Sequence, residues 1–105
     1  MSTSDKEPTV VVYRRFPKKE GNDVIALFPY EPGTDDPGTM SSYQHIGQHG
    51  SASMHLVYET RPAKLEEPDV AALHRELESI GYRLVVRKRI GHDAFRARQK
   101  ELRHA

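Results

Sequence analysis

The apolar residues of the chain fall into short segments, separated by stretches that are polar or rich in proline and glycine. Residues 9–16 hold β-branched and aromatic side chains and predict a strand, which Pro17 ends because proline has no N–H for the strand ladder. Residues 24–28 are apolar without alternation, which is typical of a central strand covered on both faces. The polar turn at Gly21 and Asn22 joins the two segments and predicts a β-hairpin.

The C-terminal half predicts two more strands and a helix. Residues 54–60 predict a strand, with Met54, Leu56 and Tyr58 on one face. A helix is predicted over residues 68–80, and Gly81 would end it in the left-handed conformation. One apolar stripe runs along this helix at Val70, Leu73, Leu77 and Ile80. A fourth strand is predicted over residues 82–90, with Tyr82, Leu84 and Val86 facing the core, and residues 93–103 predict a second helix with a weaker apolar stripe.

The order of these elements predicts an α+β fold. Its sheet is expected to be small and antiparallel or mixed, with about four strands in the order β-β-β-α-β, one packed helix and a C-terminal helix. The predicted organisation is a disordered N-terminus (1–8), a single α+β domain (9–91) and a basic C-terminal tail or helix (92–105). Residues 29–53, which contain three prolines and four glycines, are expected to form a long loop within the domain.

The predicted loop carries the densest polar cluster of the chain, a stretch with a repeated Gln-His unit that we call the Gln-His segment (residues 43–50). Its side chains both donate and accept hydrogen bonds, and its glycines let the backbone approach a ligand closely. Long loops are uncommon in compact domains unless they are functional or disordered. The candidate ligand-binding residues are therefore Tyr43, Gln44, His45, Gln48 and His49.

The same segment leaves metal-assisted and histidine-based catalysis open. His45, His49 and His55 are weak candidates for a metal site, because zinc needs three or four ligands and the H-E-x-x-H pattern is absent. Imidazole titrates near neutral pH, so His45 or His49 could also act as a general base. The chain has no cysteine, no G-x-S-x-G sequence and no glycine-rich phosphate motif. We identify no catalytic residue and expect no cofactor.

Charge is unevenly distributed along the chain. Residues 1–80 carry 8 Lys/Arg and 13 Asp/Glu, net −5, whereas residues 81–105 carry 8 and 2, net +6. A basic terminal quarter is typical of proteins with a polyanionic partner, although it could equally complement the acidic body or protect an edge strand from aggregation. The nucleic-acid candidates are Arg83, Arg87, Arg89, Arg96 and Arg98.

Location and assembly are constrained only coarsely. The N-terminal residues are polar, without the apolar region of a signal peptide, and no apolar run approaches the roughly 20 residues that span a bilayer. A chain without cysteine also favours a reducing compartment. We therefore expect a cytoplasmic protein with no membrane partner. A strand at the surface of so small a domain could pair with a second copy of the chain, so a homodimer is an open alternative.

Three segments resemble a group of short uncharacterised bacterial and phage-type proteins. The matching segments are Tyr43–Gly50, Thr60–Ala63 and Glu76–Leu84. Those proteins carry a similar Ser-Tyr-Gln-His-x-Gly-Gln-His-Gly segment and a similar helix-Gly-Tyr-strand ending. The resemblance covers about residues 24–89 and implies a bacterial or phage setting without implying a catalytic role. The chain departs from the pattern at Lys64-Leu65, where a Thr-Pro helix start is expected, and in its basic extension after Ile90.

These observations predict a non-enzymatic binding or interaction module that uses the Gln-His segment to recognise a protein or a small ligand. Two alternatives remain open from the residues. One is nucleic-acid binding through the basic last strand and tail. The other is a small enzyme that uses a histidine or a bound metal.

Overall fold

The structure, a computed structural model, describes residues 7–34, 36–45 and 47–103. The strands in these ranges are β1 (Thr9–Arg15), β2 (Val24–Pro32), β3 (Thr39–Gln44), β4 (Gln48–Ser53), β5 (Arg61–Pro62) and β6 (Leu84–Val86). The α-helices are α1 (Leu56–Glu59), α2 (Pro68–Ser79) and α3 (His92–Arg103), and a short 3₁₀ helix spans Lys18–Glu20. None of the helices in the described ranges is long and apolar enough to cross a membrane. The sequence predicts disorder over residues 1–8. Residues 1–6 of this segment lie outside the described part of the chain.

The strands form one mixed sheet in the order β4-β3-β2-β1-β5. Neighbouring strands along this order are antiparallel, whereas β6 lies beside the first residues of β1 and runs parallel to it. The predicted α+β class with a small mixed sheet is therefore confirmed. The expected number of about four strands is too small, because the sheet has six in the described ranges.

Strand β2 is the centre of the sheet, as its unbroken apolar run predicts. It lies between β1 and β3, and every residue from Val24 to Pro29 is buried. Alternate residues point to opposite faces, so Ala26 and Phe28 belong to one apolar core and Ile25 and Leu27 to another. The predicted β1–β2 hairpin is also confirmed.

Helix α2 covers the first of these cores. Its predicted span is confirmed to within one residue, and Gly81 follows it with φ +109°. Val70, Leu73 and Leu77 of the predicted stripe are buried against the sheet. The prediction that Ile80 belongs to the buried stripe is wrong, because Ile80 lies beyond the last helical turn and is 51% exposed.

Helix α3 covers the other face of the sheet, so the predicted C-terminal helix forms and packs. Ala94 is fully buried. Arg98 is also buried and donates a hydrogen bond to the carbonyl of Pro29 in β2 at 2.8 Å. The second core is completed by Met40 and Ala52 from β3 and β4. The central strand is thus shielded by a helix on each side.

The expected long loop over residues 29–53 is wrong, because most of it is strand. Strand β2 continues to Pro32, and the β3–β4 hairpin occupies Thr39–Gln44 and Gln48–Ser53. The two hairpin strands contain four serines, two glutamines and one glycine, residues with little intrinsic preference for a sheet. They are strands because β2 offers an edge to pair with and because Met40 and Tyr43 find buried positions there.

The predicted strand over residues 54–60 is also wrong, because this segment contains the short helix α1. The guanidinium of Arg14, on β1, donates to the carbonyls of Val57 and Thr60 at the end of that helix. The last carbonyls of a helix have no partner within it, so this contact stabilises the helical conformation. Tyr58, predicted to share one face of a strand with Met54 and Leu56, is 76% exposed.

Strand β6 is much shorter than the predicted span of residues 82–90. It covers three residues and pairs with Thr9–Val11 only, because β5 occupies the other half of the β1 edge. Tyr82 and Leu84 pack against the first core as expected, and the ring of Tyr82 stacks on Phe28 at 5.2 Å. Val86, expected to face the core, is 41% exposed.

A buried ion-pair cluster joins β1 to the start of α2. Arg15 is 8% exposed and donates to both carboxylate oxygens of Asp69, at 2.7 and 2.8 Å, and to Glu67 at 2.7 Å. It also donates to the carbonyl of Asn22. The hydrogen bond from Arg15 lowers the pKa of Asp69 below its ordinary value. The Arg15–Asp69 ion pair therefore stabilises the fold only while Asp69 is ionised.

We predict that Asp69→Asn lowers the free energy of unfolding at pH 7 by about 1–2 kcal/mol, because Asp69 is half-exposed and the full cost of breaking a buried pair does not apply. The pKa of Asp69 is depressed in the folded state. Its contribution is therefore present above the unfolded pKa of about 4 and is lost as the pH falls through the folded pKa. Urea unfolding from pH 7 to 3 should show a shallower acid loss in the variant than in the wild type.

The matched control is Asp36→Asn, which removes an exposed carboxylate from the other end of the molecule. This control should follow the wild-type curve of stability against pH. Parallel curves for the wild type and Asp69→Asn would show that the cluster does not contribute to the acid sensitivity.

Candidate functional site

The Gln-His segment forms the tip of the β3–β4 hairpin. Gln44 pairs with Gln48 across the hairpin, so the chain reverses direction between them. Gly47 has φ +73°, a left-handed conformation that side chains disfavour and that suits this reversal. The segment is therefore displayed at the end of a rigid element, not along a loop.

A single carboxylate of α2, that of Glu76, holds the hairpin tip. It accepts hydrogen bonds from the hydroxyl of Tyr43 and from Nδ1–H of His45. The backbone N–H of Gly47 donates to the Tyr43 hydroxyl at 2.9 Å and lies 3.4 Å from the Glu76 carboxylate. The hydrogen bond to Glu76, with a smaller effect of burial, raises the pKa of Tyr43. Three groups of the tip are thus tied to one position on the helix.

These contacts frame a groove between the hairpin tip and α2. The groove has a volume of about 360 Å³. It is lined by the amide, imidazole and carboxylate side chains Gln44, His45, Gln48, Asp23 and Asp69 and by the apolar side chains Val24, Ala72 and Leu73. His45 reaches it with its ring oriented by Glu76 and still 67% exposed. We call this cavity the tip groove.

Both sides of the tip groove are positioned by hydrogen-bond partners, the partly buried Glu76 and the buried Arg15. Glu76 orients the hairpin side, as described above. On the helix side, Asp69 is held by the two hydrogen bonds from Arg15. Side chains that are fixed before a ligand arrives lose little conformational entropy when it binds. The groove is consequently organised in the absence of any ligand.

His49 lies outside the tip groove, although the sequence pairs it with His45. Its ring packs edge-on against Tyr43 with the ring centres 4.7 Å apart. It lines two other cavities beside the hairpin, of about 180 and 590 Å³. Tyr43 itself is 2% exposed, so it supports the site and is not displayed by it. The structure therefore brings Gln44, His45 and Gln48 together and separates His49 from them.

The predicted metal site at His45, His49 and His55 does not form. His55 precedes α1 and its ring lies near Tyr58, beside a cavity lined by α3 residues. Within the described ranges, no group of three or more histidine, aspartate or glutamate side chains is placed to hold a metal ion. His45 follows β3, His49 lies in β4 and His55 precedes α1, and spacing along the chain does not reveal how far apart these positions are.

The basic candidates divide into exposed and buried residues. Arg83, Arg87, Arg89 and Arg96 are exposed. Arg98 is wrong as a nucleic-acid candidate, because its guanidinium is buried against Pro29 and pairs with Glu101 at 3.0 Å. Arg87 and Arg89 line a cavity of about 600 Å³ together with Tyr30, and Glu7 and Glu31 share its lining.

Sequence reasoning missed Glu76, the residue that organises the site. A signal for it was present, because Glu76 stands three residues after Leu73 and directly before Leu77 in the apolar stripe. A carboxylate at the border of a buried stripe must find hydrogen-bond partners there. The identity of those partners, however, depends on the β3–β4 hairpin, which the sequence did not predict.

The His45–Glu76 pair has the form of an imidazole oriented by a carboxylate. Such a pair can act as a general base if a substrate proton comes within hydrogen-bond reach. The titratable side chains among the described residues that line the tip groove are His45, Asp23 and Asp69. The groove therefore offers hydrogen-bonding groups and an imidazole held by a carboxylate.

We predict that Glu76→Gln lowers the free energy of unfolding by about 1–2 kcal/mol, because a neutral amide cannot accept hydrogen bonds from both Tyr43 and His45 as strongly. Urea unfolding measures this loss. In a double-mutant cycle, Tyr43→Phe combined with Glu76→Gln should cost less than the sum of the two single changes.

The control is Glu78→Gln on the same helix. Glu78 is more than half exposed and contacts His74 at 3.5 Å, so its replacement should change stability by less than about 0.5 kcal/mol. Equal losses in the two variants, or strict additivity in the cycle, would contradict the role of Glu76.

Comparisons with known proteins complete the description of the site. No protein-family model, no curated protein and no solved structure matches the chain. The function must therefore be inferred from the geometry and chemistry of the described residues.

Proposed function

We propose that the protein is a non-enzymatic binding module whose site is the tip groove. The observation that carries this proposal is the attachment of the hairpin tip to Glu76, which holds His45 beside the amides of Gln44 and Gln48. Binding sites typically combine a preformed cavity with a few fixed polar groups. The tip groove has both features.

The lining of the groove favours a small ligand that donates hydrogen bonds and carries a short apolar part. Asp23 provides a carboxylate, Asp69 provides a second one whose charge is already paired with Arg15, and no lysine or arginine lines the groove within the described ranges. Val24, Ala72 and Leu73 provide an apolar floor. A volume of about 360 Å³ is enough for one amino-acid side chain or a small molecule. A primary amine on an aliphatic stem, free or within a protein partner, matches this lining.

The proposed setting is cytoplasmic and bacterial or phage-related. The absence of cysteine supports a reducing compartment, and the resemblance of the Gln-His segment to bacterial and phage-type proteins supports the origin. The cytoplasmic location and the bacterial or phage origin are parts of the proposal, and neither affects the geometry of the tip groove.

We predict that alkylamines such as n-butylamine bind the tip groove and that His45→Ala weakens this binding several-fold, because the variant removes one wall of the groove and the partner of Glu76. Titration of ¹⁵N-labelled protein should shift the amide signals of Val24, Gln48 and Leu73. Butyrate, which has a similar stem and the opposite charge, should not produce these shifts.

The matched control is His49→Ala, a second histidine of the same hairpin that lies outside the groove. It should bind alkylamines like the wild type. Shifts that map to another surface, or equal effects of the two alanine variants, would rule out the tip groove as the site.

The second candidate function is nucleic-acid binding through the exposed basic residues. The observation that favours it is the exposure of Arg83, Arg87, Lys88 and Arg89 around the end of β6 and of Arg96 on α3. Tyr30, which is 46% exposed, lies beside Arg87 and Arg89 and could stack on a base. The burial of Arg98 reduces the surface that the sequence predicts.

If this surface binds nucleic acid, replacing Arg87, Arg89 and Arg96 by glutamine should reduce the slope of log K against log salt by up to about 3, because each lost phosphate contact removes about one unit or slightly less. Fluorescence anisotropy with single- and double-stranded DNA and RNA over a salt series measures this slope. The control replaces Lys18, Lys19 and Lys64, three exposed lysines elsewhere, by glutamine. No binding at low salt, or equal losses in the two variants, would exclude this function.

A further inference from the structure

The two edges of the sheet differ in how they are protected. On the β1 side, the edge is divided between β5, with two residues, and β6, with three. Arg61 and Pro62 make up β5, and arginine and proline are residues that block further pairing. On the other side the sheet ends at β4, which pairs with β3 and with no other strand in the described ranges.

Strand β4 carries none of the charged or proline residues that usually protect an edge. It runs for six residues, Gln48–Ser53, and contains no lysine, arginine, aspartate, glutamate or proline. Four of its residues are exposed, and its centre is built from Gly50, Ser51 and Ala52. A strand of this length presents a row of backbone N–H and C=O groups about 20 Å long. Such an edge is a template for another strand.

We propose that β4 pairs antiparallel with β4 of a second copy of the chain, so that one continuous sheet crosses a twofold axis. A second copy is favoured as the partner because an isologous contact brings identical residues together. In such a contact, a charged residue on the edge would lie near the identical charged residue of the second copy. Strand β4 contains no lysine, arginine, aspartate or glutamate. The small side chains at its centre also let two identical main chains approach closely.

The surroundings of β4 support a contact of this kind. A cavity of about 350 Å³ adjoins the end of the strand at Ser53 and is lined by Met54, Tyr58 and Leu102 among other residues. Tyr58 and Leu102 are 76% and 57% exposed. Exposed apolar side chains that continue a strand edge are typical of interaction surfaces. In the antiparallel arrangement Gln48 lies opposite Ser53 of the second copy, so each hairpin tip reaches towards this apolar surface.

The dimer does not depend on ligand binding in the tip groove. The groove lies between the hairpin tip and α2 and shares only Gln48 with β4, whereas the pairing uses the backbone groups along the outer edge of β4. The dimer would carry two grooves, one from each copy. Failure of the dimer would thus leave the binding proposal intact, and failure of amine binding would leave the dimer intact.

Sedimentation equilibrium of the full chain from about 1 µM to about 1 mM tests the dimer. The wild type should approach twice the mass of one chain as the concentration rises. The variant Gln48→Lys/Ser53→Lys places lysines opposite each other across the interface and should raise the dimer dissociation constant at least roughly tenfold. The variant Gln48→Glu/Ser53→Lys places opposite charges there and should restore the dimer.

The matched control is Leu65→Lys/Ser79→Lys, which adds the same charge at two exposed positions outside β4. It should dimerise like the wild type. Hydrogen exchange of the wild type gives a readout that needs no variant, because the β4 amides should become more protected as the concentration rises. The proposal would be overturned if the wild type stayed monomeric at all concentrations. It would also be overturned if a dimer formed without a change in β4 exchange and the two double-lysine variants weakened it equally.

Discussion

The site depends on the carboxylate of Glu76, because it joins two parts of the chain that are thirty residues apart. It accepts hydrogen bonds from Tyr43 and His45 at the tip of the β3–β4 hairpin while its own backbone belongs to α2. A partly buried carboxylate is costly unless its oxygens are satisfied, so the hairpin tip and the helix stabilise each other's position. The tip groove exists because this contact fixes the distance between them.

The sheet distributes possible functions over separate surfaces. Helix α2 covers one face and borders the tip groove, and α3 covers the other face and buries Arg98. The exposed basic residues surround the end of β6, on the far side of the sheet order from β4. The edge of β4 remains for pairing. A binding groove, a basic surface and a dimer contact can therefore coexist on a domain of 105 residues, with Gln48 as the one residue that the groove and the edge of β4 share among the described residues.

Elements with a strong local pattern could be predicted from the sequence. Strand β1, the central position of β2 and helix α2 follow from β-branched runs, an unbroken apolar segment and a stripe of 3.6-residue period. The β3–β4 hairpin could not, because Ser41, Ser42 and Gly50 have little preference for a strand and take that conformation only beside β2. Helix α1 likewise depends on Arg14, which comes from a distant strand.

The sequence by itself determined the α+β class, the central strand, the two longer helices and the polar segment that carries Gln44, His45 and Gln48. These features depend on interactions between near neighbours in the chain. Only the tertiary structure decided that His45 turns towards Glu76, that His49 packs away from it on Tyr43, and that Arg98 is buried. The physical reason is that each of these placements is set by a partner more than twenty residues away or by strand register, and neither is encoded in local spacing.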